Sequence, residues 1–458
     1  MVGLLVATRR GPSGTIQAVP TAPRSLNRQI LSLALPALGA LVAEPLFVLI
    51  DSAMVGHLGT ASLAGLSIAS TVLTTAVGLF VFLAYATTAT TARLFGAGRR
   101  QEGLRAGVDG IWLALILGLG AGLLLGGGAP LIVSALGAQG EVAGAAIAYL
   151  RASAPGMPGM LAVFAATGVL RGLLDTRTPF IVAAAGAALN VVLNAVLLYG
   201  VGMGIAGSGA GTAIAQSLMA VALVAPVMRA ARAEGVGLRP RRAGLGASLG
   251  SGLPLLVRTL SLRAAILTTV WAATALGPVP LAAHQVAFAL WSFAAFALDA
   301  LAVAAQALVG TALGRADSSG GDAQGGPGIG ALLRRCLAWG LGAGAGICLV
   351  LAVASPWLPL LFTSESAVVA AAIPVLVVMA SAMPLAGAVY LFDGILMGAG
   401  DGPYLARAGL ITLLPYVPLA LVVGMGAGGL VTLWLAFAWV FMGARALTTG
   451  LRVRAWMR

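Results

Sequence analysis

Charge is scarce in this 458-residue chain, and lysine is missing altogether. Only 9% of the residues are charged, whereas soluble globular proteins carry about 25%. The hydrophobic share is 60%, and apolar runs of about 20 residues, long enough to cross the hydrocarbon layer, recur along the chain. Because unsatisfied backbone groups in lipid exclude open sheets and loops, the composition excludes a soluble protein and predicts an all-α polytopic membrane protein.

Cysteine and histidine are also rare, and neither residue type forms a recognisable site. Cys336 and Cys348 lie about 18 Å apart on one predicted helix, at a rise of about 1.5 Å per residue, so they cannot form a disulfide with each other. The two histidines fit no metal-ligand spacing, and no nucleophile stands with a base in a pattern that supports catalysis. The sequence therefore argues against an enzyme, a bound metal and an organic cofactor.

All the positive charge comes from arginine, and its placement indicates membrane topology rather than nucleic-acid binding. The chain has 26 arginines and a net charge of +13, but no dense basic block. Of these arginines, 23 fall in the arm, the tail and alternate connections between predicted helices, and the opposite connections have none. Because positively charged loops face the cytoplasm, we predict a multi-pass protein of the cell membrane with twelve helices and both termini cytoplasmic. Its partner is the lipid bilayer and not nucleic acid.

The chain contains two similar halves, which are visible as matching segments at a nearly constant offset. Matches at an offset of 218 are Pro36 with Pro254 and LGTASLAGL (58–66) with LGPVPLAAH (276–284). GVLRGLLD (168–175) matches GILMGAGD (394–401) at an offset of 226. Six helices in each half mean that the repeats insert in the same orientation, related by an axis along the membrane normal. Two such lobes form the usual scaffold of a rocking transporter.

These halves define the predicted domain organisation. Twelve transmembrane helices form two parallel-repeat lobes of six helices each. The predicted segments are a disordered cytoplasmic arm (1–27), an N-lobe (28–228), a cytoplasmic linker (229–246), a C-lobe (247–450) and a cytoplasmic tail (451–458).

Asp51 stands out because it lies within the first helix, where a carboxylate is costly. An aspartate at mid-membrane costs about 2.5–3.5 kcal/mol on insertion scales, and such residues usually mark ion or proton pathways. Glu44 and Phe47 share its helix face, and Pro36 and Pro45 free backbone carbonyls and permit bending. Either Asp51 is a proton-coupling group on a movable helix, or it caps the helix near the outer interface.

Further polar residues inside the predicted helices divide into two groups. Asn190 and Asn194 share one face of the fifth helix, and Thr212 follows at the start of the sixth. Buried amides need partners, so this set forms either a polar network with Asp51 in the cavity or helix–helix contacts only. The second group is a charged network in the C-lobe, in which Asp299 is the expected counter-charge. Its members are Arg258, Arg263, Asp299 and Asp393.

Several longer segments resemble the multidrug and toxic compound extrusion family, and most closely its DinF-like branch. The matching segments are ALPALGALVAEPLFVLIDSAMVGHLGTASLAGLS, RGLLDTRTP, LPLLVRTLSLRAAILTTVWAATALG, LAAHQVAFALW and DALAVAAQALVG. The resemblance covers the chain from about residue 25 to 450. It implies a V-shaped pair of lobes that exports organic compounds in exchange for protons or sodium.

The resemblance also implies roles for particular residues. Asp51 stands at the protonation site of DinF-like relatives, and Pro36 stands at the proline that allows their first helix to bend. Some relatives carry an aspartate where this chain has Asn194, so the carboxylate role falls on Asp51, with Glu44 as a possible helper. The repeat supports this asymmetry, because the position 218 residues beyond Asp51 is Thr269.

We therefore predict a monomeric secondary antiporter that exports small organic compounds, with cationic ones favoured weakly, in exchange for protons. The first alternative is coupling to sodium ions instead of protons. A second alternative, from a different class, is a flippase for lipid-linked precursors, which would require a wide cationic groove.

Overall fold

The computed structural model describes residues 23–318 and 327–457, and in these ranges the chain is helical without a β-strand. Within these two ranges, twelve helices are long and apolar enough to cross a membrane, as predicted. They are α1 (Pro23–Gly56), α2 (Thr60–Gly96), α3 (Arg100–Ala135), α4 (Gly140–Gly172), α5 (Arg177–Gly200), α6 (Ile205–Ala233), α7 (Arg242–Ala275), α8 (Pro278–Ser318), α9 (Pro327–Ala354), α10 (Ser366–Gly398), α11 (Gly402–Gly424) and α12 (430–457).

Four of these helices contain an interruption. A turn divides α2 into Thr60–Leu79 and Phe82–Gly96, and the 3₁₀ turn Ala154–Gly156, which contains a proline, interrupts α4. Wide π turns occupy Ala195–Gly200 of α5 and Ala436–Phe441 of α12. Since π turns shift the helix face by part of a turn, the residues that follow them are directed differently from those that precede them.

The helices extend beyond the predicted lobe boundaries at three places. Helix α1 begins at Pro23, so the last residues of the predicted disordered arm 1–27 are helical, and residues 1–22 lie outside the described residues. Helix α6 continues to Ala233 and α7 begins at Arg242, which leaves only 234–241 of the predicted linker 229–246 outside the helices. Helix α12 continues to Met457 through the predicted tail. The reason is the same throughout: arginine has a good helix propensity, and long helices can emerge from the bilayer.

The two halves meet through a reciprocal pair of close backbone contacts that reproduces the sequence repeat. A Cβ atom added to Gly96 of α2 would lie 2.2 Å from the carbonyl oxygen of Thr311 on α8. One added to Gly314 would lie 1.9 Å from the carbonyl oxygen of Arg93. The two glycines are related by the offset of 218, and so are Arg93 and Thr311, whose carbonyl oxygens they approach. Each lobe therefore contributes one glycine and one carbonyl to this pair of contacts. We call this end, where α2, α4, α8 and α10 terminate, the arginine-rich end.

The buried core shows that the lobes join at the arginine-rich end and separate away from it. The larger apolar core combines first-lobe residues with second-lobe residues such as Leu308, Leu313 and Leu396 from the arginine-rich end. A second core, which includes Trp434, lies wholly within the second lobe. The fold is therefore a V of two six-helix lobes joined at the arginine-rich end.

Two chain segments reinforce this junction by crossing from one lobe to the other. The Trp112 indole on α3 donates to the backbone oxygen of Leu238, in the segment that leads into α7, at 2.8 Å. Correspondingly, the Trp339 indole on α9 donates to Asn27 Oδ1, at the start of α1, at 2.9 Å. Each lobe is thus attached to the first residues of the other lobe.

We expect Gly96→Val and Gly314→Val each to destabilise the protein by about 1–3 kcal/mol, because the added side chain must displace backbone of the opposite lobe. Thermal unfolding in detergent measures this effect. Gly120→Val is the matched control, because nothing lies within 4 Å of a Cβ at that helical position. Equal melting temperatures for Gly96→Val and Gly120→Val would contradict the tight junction.

Candidate functional site

Asp51 lies near the end of α1 opposite the arginine-rich end and is only 3% exposed. Asn194 Nδ2 on α5 donates to its Oδ1 at 2.9 Å, and the Ser208 hydroxyl on α6 donates to the same oxygen. The Tyr149 hydroxyl on α4 donates to Oδ2 at 3.3 Å. Side chains from three other helices of the lobe therefore converge on one carboxylate.

The amides of α5 extend this network as far as α6. Asn194 Nδ2 also donates to Asn190 Oδ1 at 3.1 Å, and Asn190 Nδ2 contacts Thr212 Oγ1 at 3.4 Å. Gly211 leaves room for the network, since a Cβ at that position would lie 2.1 Å from Asn194 Oδ1. The structure thus brings together Asp51, Asn190, Asn194 and Thr212, the set that the sequence suggested.

No arginine or histidine in the described part of the chain lies within ion-pair distance of Asp51. The ionised carboxylate is held by neutral donors alone, whereas a protonated carboxyl group would itself become a donor at one oxygen. Protonation would also weaken the three donor contacts, because a neutral carboxyl group accepts weaker hydrogen bonds than a carboxylate does. The site can convert the arrival of a proton into a change of contacts between helices.

The network forms part of the wall of a cavity inside the first lobe, with a volume of about 190 Å³. Phe47, Asp51 and Thr212 line this cavity, together with apolar residues of α2 and α4. Its volume is below the 300–1,000 Å³ that is usual for drug-sized ligands, so a slender molecule fits it best. Arg171, near the arginine-rich end of α4, also lines it.

Helix α1 is continuous through Pro36 and Pro45 in this structure. The hinge that the two prolines suggest is not populated here and remains a prediction. A Cβ added to Gly39 would lie 2.4 Å from the Phe180 ring, so α1 packs closely on α5 between the prolines. The side chain of Glu44 lies outside the described residues.

The charged network of the second lobe differs from the predicted one. Arg258 binds Asp393 at 2.5 Å, and Arg445 of α12 binds the same oxygen at 2.5 Å, so Asp393 rather than Asp299 is the ion-pair partner of Arg258. Asp299 instead accepts a hydrogen bond from Tyr85 of the first lobe at 3.3 Å. Arg263 is exposed and lies apart from these pairs. Helix packing causes the difference, since α7 presents Arg258 to α10 rather than to α8.

The sequence reasoning missed several side chains of these sites. Ser208 stands four residues before Thr212, on the same face of α6, and this spacing could have revealed it. Tyr149 had no local signal, because its place depends on how α4 packs against α1. Arg171 and Arg445 were counted among the arginines of cytoplasmic connections, but both are buried in helices.

A family model described as MatE matches residues 36–196 and 254–422, one segment in each lobe. The chain belongs to the MatE family. Members of this family are membrane transporters and not enzymes, in agreement with the prediction from the sequence.

The similar proteins include curated relatives and a solved structure. Protein DETOXIFICATION 44, chloroplastic, from Arabidopsis thaliana is 28% identical over 408 residues, which cover 84% of this chain and 74% of the relative. The probable multidrug resistance protein NorM from Thermotoga maritima is 30% identical over 38% of each chain. The Vibrio cholerae MATE transporter VcmN in its bent form superposes with a TM-score of 0.84 at 22% identity, over 95% of this chain and 98% of VcmN. Membership of the DinF-like branch stays a prediction.

We expect Asp393→Asn to destabilise the protein by about 3–5 kcal/mol, because it leaves Arg258 and Arg445 buried without a counter-charge. Thermal unfolding of the purified protein measures the effect. Arg263→Gln should change the melting temperature little, since Arg263 is exposed. A larger loss for Arg263→Gln than for Asp393→Asn would overturn this assignment of ion pairs.

Proposed function

We propose that the protein is a secondary antiporter of the cell membrane that exports small organic compounds in exchange for protons, with Asp51 as the proton carrier. The observation that carries the proposal is a buried carboxylate in a cavity wall, held by neutral donors from three other helices. Membership of a transporter family supports export, and the name of the Thermotoga maritima relative supports drug-like compounds as cargo.

In the proposed cycle, the V opens to the outside and Asp51 takes up a proton there. The neutral carboxyl group accepts weaker hydrogen bonds from Asn194, Ser208 and Tyr149 than the carboxylate does. The hold of α4, α5 and α6 on α1 weakens as a result. Movement of α1 then reduces the volume of the cavity that it lines, and the substrate is expelled.

The prolines of α1 confine its movement to the outer half of the helix. Pro36 and Pro45 lack backbone donors, so the helix loses two internal hydrogen bonds and bends at lower cost there than elsewhere. Both lie between Asp51 and the arginine-rich end. The outer half of α1, which carries Asp51, can therefore move while its first residues stay attached to α9 through Asn27.

The orientation of the protein in the membrane follows from charge. The arginine-rich end faces the cytoplasm by the positive-inside rule, which makes both termini cytoplasmic and the open end of the V extracellular. Proton release then requires the junction around Gly96 and Gly314 to open to the cytoplasm. In this form of alternating access, the extracellular end and the cytoplasmic end of the V are open in turn.

The neutral donors around Asp51 favour protons over sodium as the coupling ion. Asn194, Ser208 and Tyr149 direct N–H or O–H groups at the carboxylate, whereas a hard cation needs several oxygen ligands. The flippase alternative is weaker, because the cavity is narrow and Arg171 is the only arginine among the described residues that line it.

We expect Asp51→Asn, which keeps the shape but cannot be ionised, to abolish substrate transport driven by a proton gradient in proteoliposomes. Transport of a small radiolabelled organic compound of about one aromatic ring, driven by an imposed pH gradient, measures this. A parallel series replaces the pH gradient with a sodium gradient. Asp401→Asn is the matched control, because Asp401 pairs with Arg452 outside the cavity. Full proton-driven export by Asp51→Asn would refute the role of Asp51, and sodium-driven export by the wild type would identify sodium as the coupling ion.

A further inference from the structure

Arg171 is the one side chain of the cavity whose charge the proposed cycle leaves unused. It lies in the last turn of α4 and is 8% exposed. In the described part of the chain, no hydrogen bond or ion pair engages its guanidinium, and Asp299 attracts it only from beyond ion-pair distance. A guanidinium buried in a membrane bundle without a direct partner is costly, so a functional reason for it is expected.

The surrounding charges do not balance Arg171. The buried groups that interact electrostatically here are the cations Arg171, Arg258 and Arg445 and the carboxylates Asp299 and Asp393. Arg258 and Arg445 share Asp393, which leaves Asp299 between Arg171 and Arg258. Even with both carboxylates ionised, three positive charges face two negative ones, an excess of one positive charge.

The sequence repeat shows that the scaffold itself does not need this arginine. In the matching segments GVLRGLLD and GILMGAGD, the position equivalent to Arg171 is Met397. Both segments pack alike, since Gly168 of α4 approaches the carbonyl of Ala84 and Gly394 of α10 approaches the carbonyl of Ala302. Met397 is 2% exposed, so an apolar side chain fills the same place in the second lobe.

The cavity separates Arg171 from the proton site. Tyr149, which binds Asp51, and Arg171 are 22 positions apart on α4 (171 − 149), or roughly 30 Å at about 1.5 Å per residue. Helical side chains point toward the N-terminus of their helix, which directs Arg171 along the cavity rather than out of the arginine-rich end. Apolar and aromatic groups, among them Phe164, line the cavity beside it.

We propose that this cavity binds a slender organic carboxylate, with Arg171 holding the carboxylate group and the apolar wall holding the hydrocarbon body. A guanidinium presents a planar pair of donors that matches a carboxylate, and the one excess positive charge matches one negative charge. The small volume restricts the body to about the size of a single aromatic ring or a short chain. Because the two sites lie at opposite ends, protonation of Asp51 acts on the substrate through cavity volume and not by direct competition.

This inference rests on the proposed function, because it names the substrate class of the same cavity, but binding without any gradient tests it separately. The probes are radiolabelled benzoate, the neutral isostere benzamide and the cation benzylamine, in equilibrium dialysis against the detergent-solubilised full chain. We expect benzoate to bind about tenfold or more tightly than benzamide, a difference of about 1.4 kcal/mol or more, because charge-assisted hydrogen bonds are stronger than neutral ones. Benzylamine should bind more weakly than either.

Variants locate the preference at Arg171. Arg171→Met should remove the tenfold preference for benzoate over benzamide and still fold, because Met397 occupies the equivalent place, while Arg171→Lys should keep part of it. Arg151→Met, at an exposed position of the same helix, is the matched control and should keep all of it. Because no gradient enters this assay, the loss of proton-driven transport in Asp51→Asn and the loss of the benzoate preference in Arg171→Met are separate outcomes, so that a failure of coupling and a failure of this inference are distinguishable. Preferential binding of benzylamine, or a benzoate preference that survives in Arg171→Met, would overturn the proposal.

Discussion

A carboxylate withdrawn from water must be satisfied by other side chains, and in this protein that requirement organises a whole lobe. Asp51 brings together α1, α4, α5 and α6, because each of the other three helices supplies one donor to it. Small residues on α6 follow from the same need, since Gly211 must leave space for the Asn194 amide. The cavity in the first lobe therefore has one polar end, formed by Asp51, Tyr149 and Thr212, in a largely apolar wall.

The second lobe shows what the same scaffold becomes without that charge. At the position equivalent to Asp51 it has Thr269, whose hydroxyl contacts the hydroxyl of Tyr416. Aromatic rings fill the space around this pair, with Trp434 and Phe437 at 5.6 Å between ring centroids and Tyr416 and Phe441 at 5.3 Å. A neutral pair needs no convergence of donors, so the rings can close the interior. The second lobe therefore has a packed aromatic interior at the place where the first lobe has a cavity.

Much of this arrangement was predictable from the sequence, and the parts that were not have a common cause. Hydropathy and arginine placement predicted twelve helices. The offset of 218 relates Gly96 to Gly314, but only the structure shows the paired contact that they make. The i, i+4 spacing of Asn190 and Asn194 placed both amides on one face, next to an acid of the same lobe. Partner choice across helices was not predictable, because it depends on the rotation and tilt of each helix. For that reason Asp393 replaced Asp299 as the partner of Arg258.

The junction of the lobes has a consequence for the dynamics of the whole molecule. Its two glycine–carbonyl contacts are copies of each other on either side of a pseudo-twofold axis, at the same depth of the bundle. Because the two contacts are equivalent by symmetry, separating the lobes at this end would break both of them, each made by a glycine of one lobe and a carbonyl oxygen of the other.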